Sequence, residues 1–359
     1  MRILYLNNTM ILGGGVQKCI YMLSKEFIGK HKVFVASAGG EYEAELEELG
    51  VVHKRIINPE KKNIFSILKN LFLIYKLVKN DSIDLIHSHH RMTTVYAKII
   101  ACFTKVKVVH SAHLYTEDKI KLTNFALKNI PVISVSNGVG EGLSEVYNLK
   151  KENITTIYNT VEFSQIKAEV KKEILDAKKN GSFVVASISR LEPVKGLENL
   201  LIAAKSIINL QLDVKFILIG EGSEREKYLD FIKSNNMEND VFVLGKVPNV
   251  KDYLKYIDVL IQCSYREGFG LAVAEAAAVG VPSIASNIHG LNEVIIENYN
   301  GLLIEPGNSK ELEAAILKLY EDQNLLSFFG ENGKNHYEKN FSKKQYYDGH
   351  ESFYEKLIR

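Results

Sequence analysis

The sequence predicts an α/β protein built as two doubly wound, Rossmann-like domains. Short β-branched runs alternate with longer helical patterns, which is the mark of strand–helix–strand units. The alternation pauses in the polar, lysine-rich stretch 164–181 and then restarts. At 359 residues the chain is long enough for two substantial cores. Together these observations favour two domains over one large sheet.

In the first half, Ile3–Leu6, Lys32–Ala36, Leu85–His87, Val106–His110 and Val132–Val135 are short, mainly apolar runs and are expected to be strands. Between them, Gly15–Phe27, Ile64–Lys79 and Thr93–Ala101 have helical spacing. Within the second of these helices, Ile64, Leu68, Leu71, Tyr75 and Val78 form one apolar stripe, expected to pack on the sheet. Lys61, Lys62, Lys69 and Lys76 would then face outward, toward anionic headgroups if the protein meets a membrane. After the pause, Phe183–Ser187, Lys215–Ile219, Val241–Leu244, Val259–Gln262 and Pro282–Ala285 are the expected strands. Helices are expected near Leu197–Ile208, Glu224–Lys233, Val250–Tyr256 and Leu271–Ala278. Aromatic spacing from Phe328 to Ile358 predicts one or two terminal helices.

Composition is that of an ordinary globular protein, 46% apolar and 25% charged. No apolar run approaches the roughly 18 residues that suggest a membrane span. The opening RILYLNN reads as a first strand, without the basic and small-residue features of a signal peptide. Cys19, Cys102 and Cys263 lack metal-site spacing. Cys19 and Cys102 lie in apolar helical patterns, so buried thiols in a reducing compartment are expected, and the cytoplasm follows. The net charge of +2 hides an asymmetry, because residues 1–160 hold 21 basic and 14 acidic side chains. A basic first half suits an anionic surface or substrate; uneven scatter is the alternative.

The most informative stretch is Glu267-Gly268-Phe269-Gly270-Leu271, followed by an alanine-rich helical run that contains Glu275. Glycines after Glu267 permit close backbone approach, and backbone amides there can face an anionic or hydroxyl-rich ligand. A carboxylate among alanines needs a compensating partner if buried, which paired ribose hydroxyls would supply. Just past another expected strand stand Arg190 and Lys195, a fork and a mobile point charge suited to a diphosphate. Solvent-facing charges are the alternative for both pairs. Basic and acidic pairs beyond two strand ends suit a ligand with phosphates and sugar hydroxyls, that is, a nucleotide-sugar.

Gly13-Gly14-Gly15 follows the first strand, but neither the dinucleotide fingerprint nor a phosphate-loop lysine is present. His87, His89, His90, His110 and His113 cluster without any metal-binding spacing. His87 and His110 read as structural, while His89 and His113 follow strands and approach the ligand side. There is no nucleophile elbow of the serine-hydrolase kind. Nothing points to nucleic acid.

These motifs resemble family 4 of the retaining glycosyltransferases, across nearly the whole chain. The matching segments are Gly13–Gly15, the His113 region, Asn159-Thr160-Val161-Glu162, Ser189-Arg190, Lys195-Gly196, Gly220-Glu221-Gly222, Glu267–Glu275 and Gly280-Val281-Pro282. The resemblance implies the GT-B fold, two facing Rossmann-like domains with a cleft between them. It implies an acceptor-binding domain over 1–165, a nucleotide-sugar-binding domain over 166–345, and a C-terminal helix, 346–359, packing back on the first. Arg190 and Lys195 would neutralise the donor diphosphate. Glu267 would contact the transferred sugar, helped by amides of Gly268, Phe269, Gly270 and Leu271, and Glu275 would bind ribose. Lys246 and Val247 would pass beside the base, His113 would lie near the reacting sugar, and Gly14 and Gly15 would approach donor or acceptor. Gln17 and Lys18 depart from the acidic-basic pair that many members carry there.

The implied reaction is retaining transfer from a nucleoside diphosphate-sugar to a saccharide or lipid-linked saccharide in surface polysaccharide biosynthesis. UDP is the expected nucleotide, although none of these motifs reads UDP apart from GDP. It would take place in the cytoplasm at the inner membrane face, with no cofactor and no metal. A UDP-N-acetylglucosamine 2-epimerase is the enzymatic rival, and would need acid/base carboxylates such as Asp84, Glu117 or Asp118. The non-enzymatic rival is a partner subunit of a glycosyltransferase, whose phosphate or acidic pair should be lost.

Overall fold

The protein is described by a computed structural model covering residues 1–61, 63–164 and 167–359. Lys62 of the basic stretch and the 165/166 boundary expected between domains lie outside the described residues. The chain divides into two compact units, Met1–Asn159 with Lys344–Arg359, and Thr160–Lys343.

The first unit is built on a seven-stranded parallel sheet: β1 (Arg2–Leu6), β2 (Lys32–Ser37), β3 (Val52–Arg55), β4 (Leu85–Ser88), β5 (Lys107–Ala112), β6 (Val132–Ser134) and β7 (Ile154–Thr156). The order is β3-β2-β1-β4-β5-β6-β7. Ile3, Leu4, Tyr5 and Leu6 are wholly buried, as a central parallel strand covered by helices on both faces must be. The strand order reverses between β1 and β4, which in such sheets marks where ligands bind. Register sets Leu6 beside Ser88 and Ser88 beside His110, so Asn7, His89 and His113 all emerge at the carboxyl edge.

The last helix, Lys343–Ile358, belongs to this unit except for its first residue. Tyr346 and Tyr354 join the core that contains Tyr5 and Phe27, and Lys30 pairs with Glu351 at 2.8 Å. The Tyr354 hydroxyl lies 2.6 Å from His87 Nδ1.

Helix Ile64–Asn80 is rotated away from the expected register. It buries Ser66, Asn70, Ile74, Leu77 and Val78; of the expected stripe, Val78 is buried and Leu71 packs on the core, but Ile64, Leu68 and Tyr75 are turned outside. Polar anchoring explains the rotation. Asn70 accepts from the Ile57 amide at 2.9 Å and donates to the Ile57 carbonyl at 2.8 Å, while Asn63 caps the Ser66 amide at 2.8 Å. The turn leaves Ile64 and Phe65 each 69% exposed, with Leu68, Phe72 and Tyr75 also outside.

The second unit carries a six-stranded parallel sheet: β8 (Phe183–Ile188), β9 (Val214–Ile219), β10 (Val241–Gly245), β11 (Val259–Gln262), β12 (Ser283–Ser286) and β13 (Gly301–Ile304). Its order, β10-β9-β8-β11-β12-β13, repeats the plan of the first, with the reversal between β8 and β11. Val185, Phe216 and Ile261 from the strands meet Leu200, Ile207, Ile316 and Leu319 from the helices in one core.

Cys19 and Cys263 are buried, but Cys102 is exposed, contrary to expectation. It caps helix Arg91–Ala101 two residues beyond Ile100, the last buried residue of that helix.

Candidate functional site

In the second unit, every sequence-predicted site residue lies at or beyond a strand's carboxyl end. The loops after β8, β9, β10 and β11 are stitched together by close backbone approaches. A Cβ on Gly220 would lie 1.8 Å from the Ser189 carbonyl, and one on Gly222 would lie 2.2 Å from the Leu191 carbonyl. The Leu191 amide donates to the Glu221 carbonyl at 2.9 Å, and the Gly220 amide to the Gly245 carbonyl at 2.9 Å.

Lys195 ends a short 3-10 turn begun by Pro193, and Gly196 follows at φ +61. A Cβ there would sit 2.2 Å from the Cys263 carbonyl, so the backbone can close on the β11 loop only as glycine. The Tyr265 amide donates to the Val194 carbonyl at 2.9 Å and fastens the loops from the other side. The result is an ion pair, Lys195 Nζ to Glu267 Oε2 at 2.5 Å, with both side chains largely covered. Ser264 Oγ lies 3.4 Å from the same carboxylate oxygen, and Gln262 Nε2 donates to Ser264 Oγ at 2.7 Å. Gln262 and Ser264 were not anticipated from sequence; only their closeness to Glu267 along the chain hinted at a role.

Arg190 stands at the end of β8, exposed, with its guanidinium in no ion pair among the described residues. Gly268, Phe269 and Gly270 are buried. The Phe269 ring packs edge-on against Phe341 at 5.2 Å, so this residue can offer a ligand only its backbone. Gly270, at φ +90, caps helix Leu271–Ala278, whose free amides make a positive terminus beside Glu267. Glu275 lies in that helix and is 7% exposed. Lys246 is exposed and Val247 half-buried just beyond β10.

In the first unit, Gly14 caps helix Gly15–Phe27 immediately beyond the β1 loop. A Cβ on Gly14 would lie 1.9 Å from Gln17 Oε1, so the departing residue Gln17 folds back over this turn. The histidines are mostly internal. His87 is bonded to Tyr354 and to Ser111 Oγ at 2.8 Å, and His110 Nδ1 to Thr94 Oγ1 at 2.8 Å. His113, half-buried beyond β5, is 3.0 Å from His89 Nδ1 through its own Nε2. Burial pushes His113 down to about 4 and His110 to about 3, and holds His87 and His89 well below the ordinary range. All four are neutral at pH 7.

Asp84 precedes β4 and accepts from the Arg2 amide at 2.7 Å, at the amino edge of the sheet. Asp118 pairs with Arg91 at 3.4 Å. Of the carboxylates an epimerase would need, Asp84 is thus at the amino edge, while Glu117 and Asp118 lie in the loop after β5, where Asp118 is already held by Arg91. Among the described residues no cluster of His, Cys, Asp and Glu could hold a metal ion.

Two family descriptions match the chain: "Glycosyltransferase Family 4" over residues 13–165 and "Glycosyl transferases group 1" over 169–336. An uncharacterized glycosyltransferase of Methanocaldococcus jannaschii is 31% identical over 326 residues, 87% of each chain. The UDP-Gal:alpha-D-GlcNAc-diphosphoundecaprenol alpha-1,3-galactosyltransferase of Escherichia coli is 30% identical over 289 residues, 75% of this chain and 74% of that enzyme. Among solved structures, a glycosyltransferase from Rickettsia africae superposes with TM-score 0.85 at 22% identity, covering 100% of this chain and 98% of its own. The Anabaena protein HepE, solved with UDP and glucose, superposes with TM-score 0.84 at 21% identity, covering 99% and 100%.

Proposed function

The chain belongs to the family 4 glycosyltransferases of GT-B fold, enzymes that use nucleotide-sugars, and from that premise we propose a UDP-sugar donor and retention at the anomeric carbon. The acceptor in this reading is a saccharide or lipid-linked saccharide of surface polysaccharide assembly. The Escherichia coli relative, whose name states UDP-Gal and a diphosphoundecaprenol acceptor, supports both donor and acceptor class. One observation carries the residue assignment: Lys195 and Glu267, 72 residues apart in sequence, meet at 2.5 Å beside the Gly268–Gly270 loop.

In this reading Arg190 and Lys195 stabilise the departing diphosphate electrostatically. Glu267 orients the sugar. A carboxylate held in an ion pair is a poor nucleophile, which favours front-side attack, with the leaving phosphate accepting the acceptor's proton. Glu275 binds ribose hydroxyls, and the amides from Gly268 to Leu271 face the phosphates or sugar. Lys246 and Val247 flank the base. In the first unit, Gly14, Gly15 and His113 approach the reacting groups.

Calorimetry with UDP and GDP, followed by transfer assays on candidate lipid-linked acceptors, tests the proposal. UDP binding that weakens on substituting Arg190 or Lys195 supports it. GDP preference overturns the donor, and no nucleotide binding overturns the site. Incubation with UDP-N-acetylglucosamine alone should yield no 2-epimer.

We further propose that the enzyme works in the cytoplasm, held at the membrane's inner face. Helix Ile64–Asn80 supports this by presenting Ile64, Phe65, Leu68, Phe72 and Tyr75 outward among Lys61, Lys69, Lys76 and Lys79. Lys69 and Lys79 lie 5.9 Å from the Phe65 and Tyr75 ring centres. Such a face suits shallow apolar insertion joined to anionic headgroups, each lysine adding about 1 kcal/mol. No described helix is long and apolar enough to cross a membrane. Binding to anionic vesicles should fall both with salt and on substituting Phe65 and Phe72 by serine; equal binding to neutral vesicles would overturn the electrostatic part.

A further inference from the structure

We infer that His89 is a positioning residue that fixes the tautomer of His113, so that His113 presents a Nδ1–H donor at the carboxyl edge of the first sheet. The inference rests on the proposed placement of His113 near the reacting sugar, and concerns how that residue is held.

His89 follows β4 and is anchored by its backbone, whose amide donates to the Leu6 carbonyl at 2.9 Å. Its ring is 6% exposed and lies between two others, with centres 4.1 Å from His87 and 5.3 Å from His113. Its Nδ1 meets His113 Nε2 at 3.0 Å. Its other nitrogen, Nε2, is buried and has no hydrogen-bond partner among the described residues.

A hydrogen bond between two neutral imidazoles needs one N–H and one lone pair, and there are two ways to supply them. If His113 donates from Nε2, then His89 must carry its own proton on Nε2, where the N–H would be buried with nothing to accept it. If His89 donates from Nδ1, only a lone pair is left unmatched at Nε2. Orphaned buried N–H groups are the rarer and costlier case. His89 therefore carries its proton on Nδ1 and donates, and His113 accepts at Nε2.

The proton of His113 must then sit on Nδ1, for which no hydrogen bond is formed among the described residues. His113 thus meets a ligand as a neutral donor to an oxygen, such as a sugar hydroxyl, and not as a base. The remaining groups around the relay do not compete for this bond. His87 is already engaged through both nitrogens with Tyr354 and Ser111, and His110 with Thr94. His350 turns its Nδ1 to the Tyr346 carbonyl at 2.8 Å.

The test uses the full chain labelled with 15N at histidine, together with two substitutions. In the wild type, His113 should show a pyrrole-type Nδ1 and a pyridine-type Nε2. The opposite pattern overturns the inference. His89→Leu removes the donor and should release His113 into a mixture of tautomers, lowering kcat by about tenfold, the worth of one hydrogen bond, with little change in donor KM. His89→Asn, whose amide nitrogen can stand near the former Nδ1, should restore both the tautomer and most of the rate. An unchanged tautomer and unchanged kcat in a folded His89→Leu protein also overturns it. Full activity in His113→Ala would remove the proposed role of His113 instead, while the wild-type spectrum still decides the tautomer.

Discussion

Replacing Lys195 by alanine is the sharpest probe of the second unit, because it acts on the protein and on the ligand together. Lys195 and Glu267 keep 13% and 18% of their side-chain surface, so solvent screens the pair only weakly. Without the ammonium, the carboxylate keeps Ser264 Oγ at a long 3.4 Å. On the ligand side, a missing charge-stabilising donor costs about 10²–10³ in rate, or roughly 2.7–4 kcal/mol. A cycle through Lys195→Ala, Glu267→Gln and the double variant separates these contributions. If the ion pair holds both groups in place, the two losses should be non-additive by about 1–3 kcal/mol. The measurement is nucleoside diphosphate release during steady-state transfer, with donor affinity taken by calorimetry. Transfer within about threefold of wild type in Lys195→Ala refutes the phosphate role. Losses adding to within about 0.5 kcal/mol refute the coupling.

Gly196→Ala places a Cβ against the Cys263 carbonyl at a left-handed φ, and should destabilise the unit by at least about 1–3 kcal/mol while weakening donor binding; calorimetric melting and UDP titration check both. Asn70→Leu removes both hydrogen bonds to Ile57, so it should cost about 1–3 kcal/mol in denaturant melts despite being more apolar. Acid should unfold the first unit. His110, His113 and His350 are held at about 3 to 4 when folded, so the unfolded chain takes up the protons first. Their contribution is intact above about pH 6.5 and falls as pH drops toward 4, by about 2 kcal/mol for one such histidine between pH 7 and 5. Urea melts of the wild type against His110→Asn should show a shallower acid slope in the variant.

The central strands were legible because a parallel sheet covered on both faces demands unbroken apolar runs, and Ile3–Leu6, Phe183–Ser187 and Val259–Gln262 supply them. The strands that went unrecognised, β3, β7 and β13, all lie at sheet edges. There the demand relaxes. β3 reads Val-His-Lys-Arg and β7 Ile-Thr-Thr, short and polar as edge strands tend to be. The loop residues at the carboxyl ends were legible for a related reason. Glycine at 196, 220, 222 and 270 is required where backbone meets backbone or φ turns positive, and charged residues beside such glycines stand out.

Contacts made by polar side chains across long sequence distances were not legible. Asn70 looks like a solvent residue in helix Ile64–Asn80, and an apolar stripe chosen by spacing leaves it outside. The fold instead spends the position on two backbone bonds to Ile57, and that choice turns Ile64, Leu68 and Tyr75 out of the core. His89 and His113 show the same principle at the candidate site. Both could be placed beyond strands from sequence, but which donates to which depends on a nitrogen buried without a partner 24 residues away in the chain. Hydrophobic period fixes which elements exist, whereas satisfying buried polar groups decides how each is turned, and a site's chemistry depends on that second step.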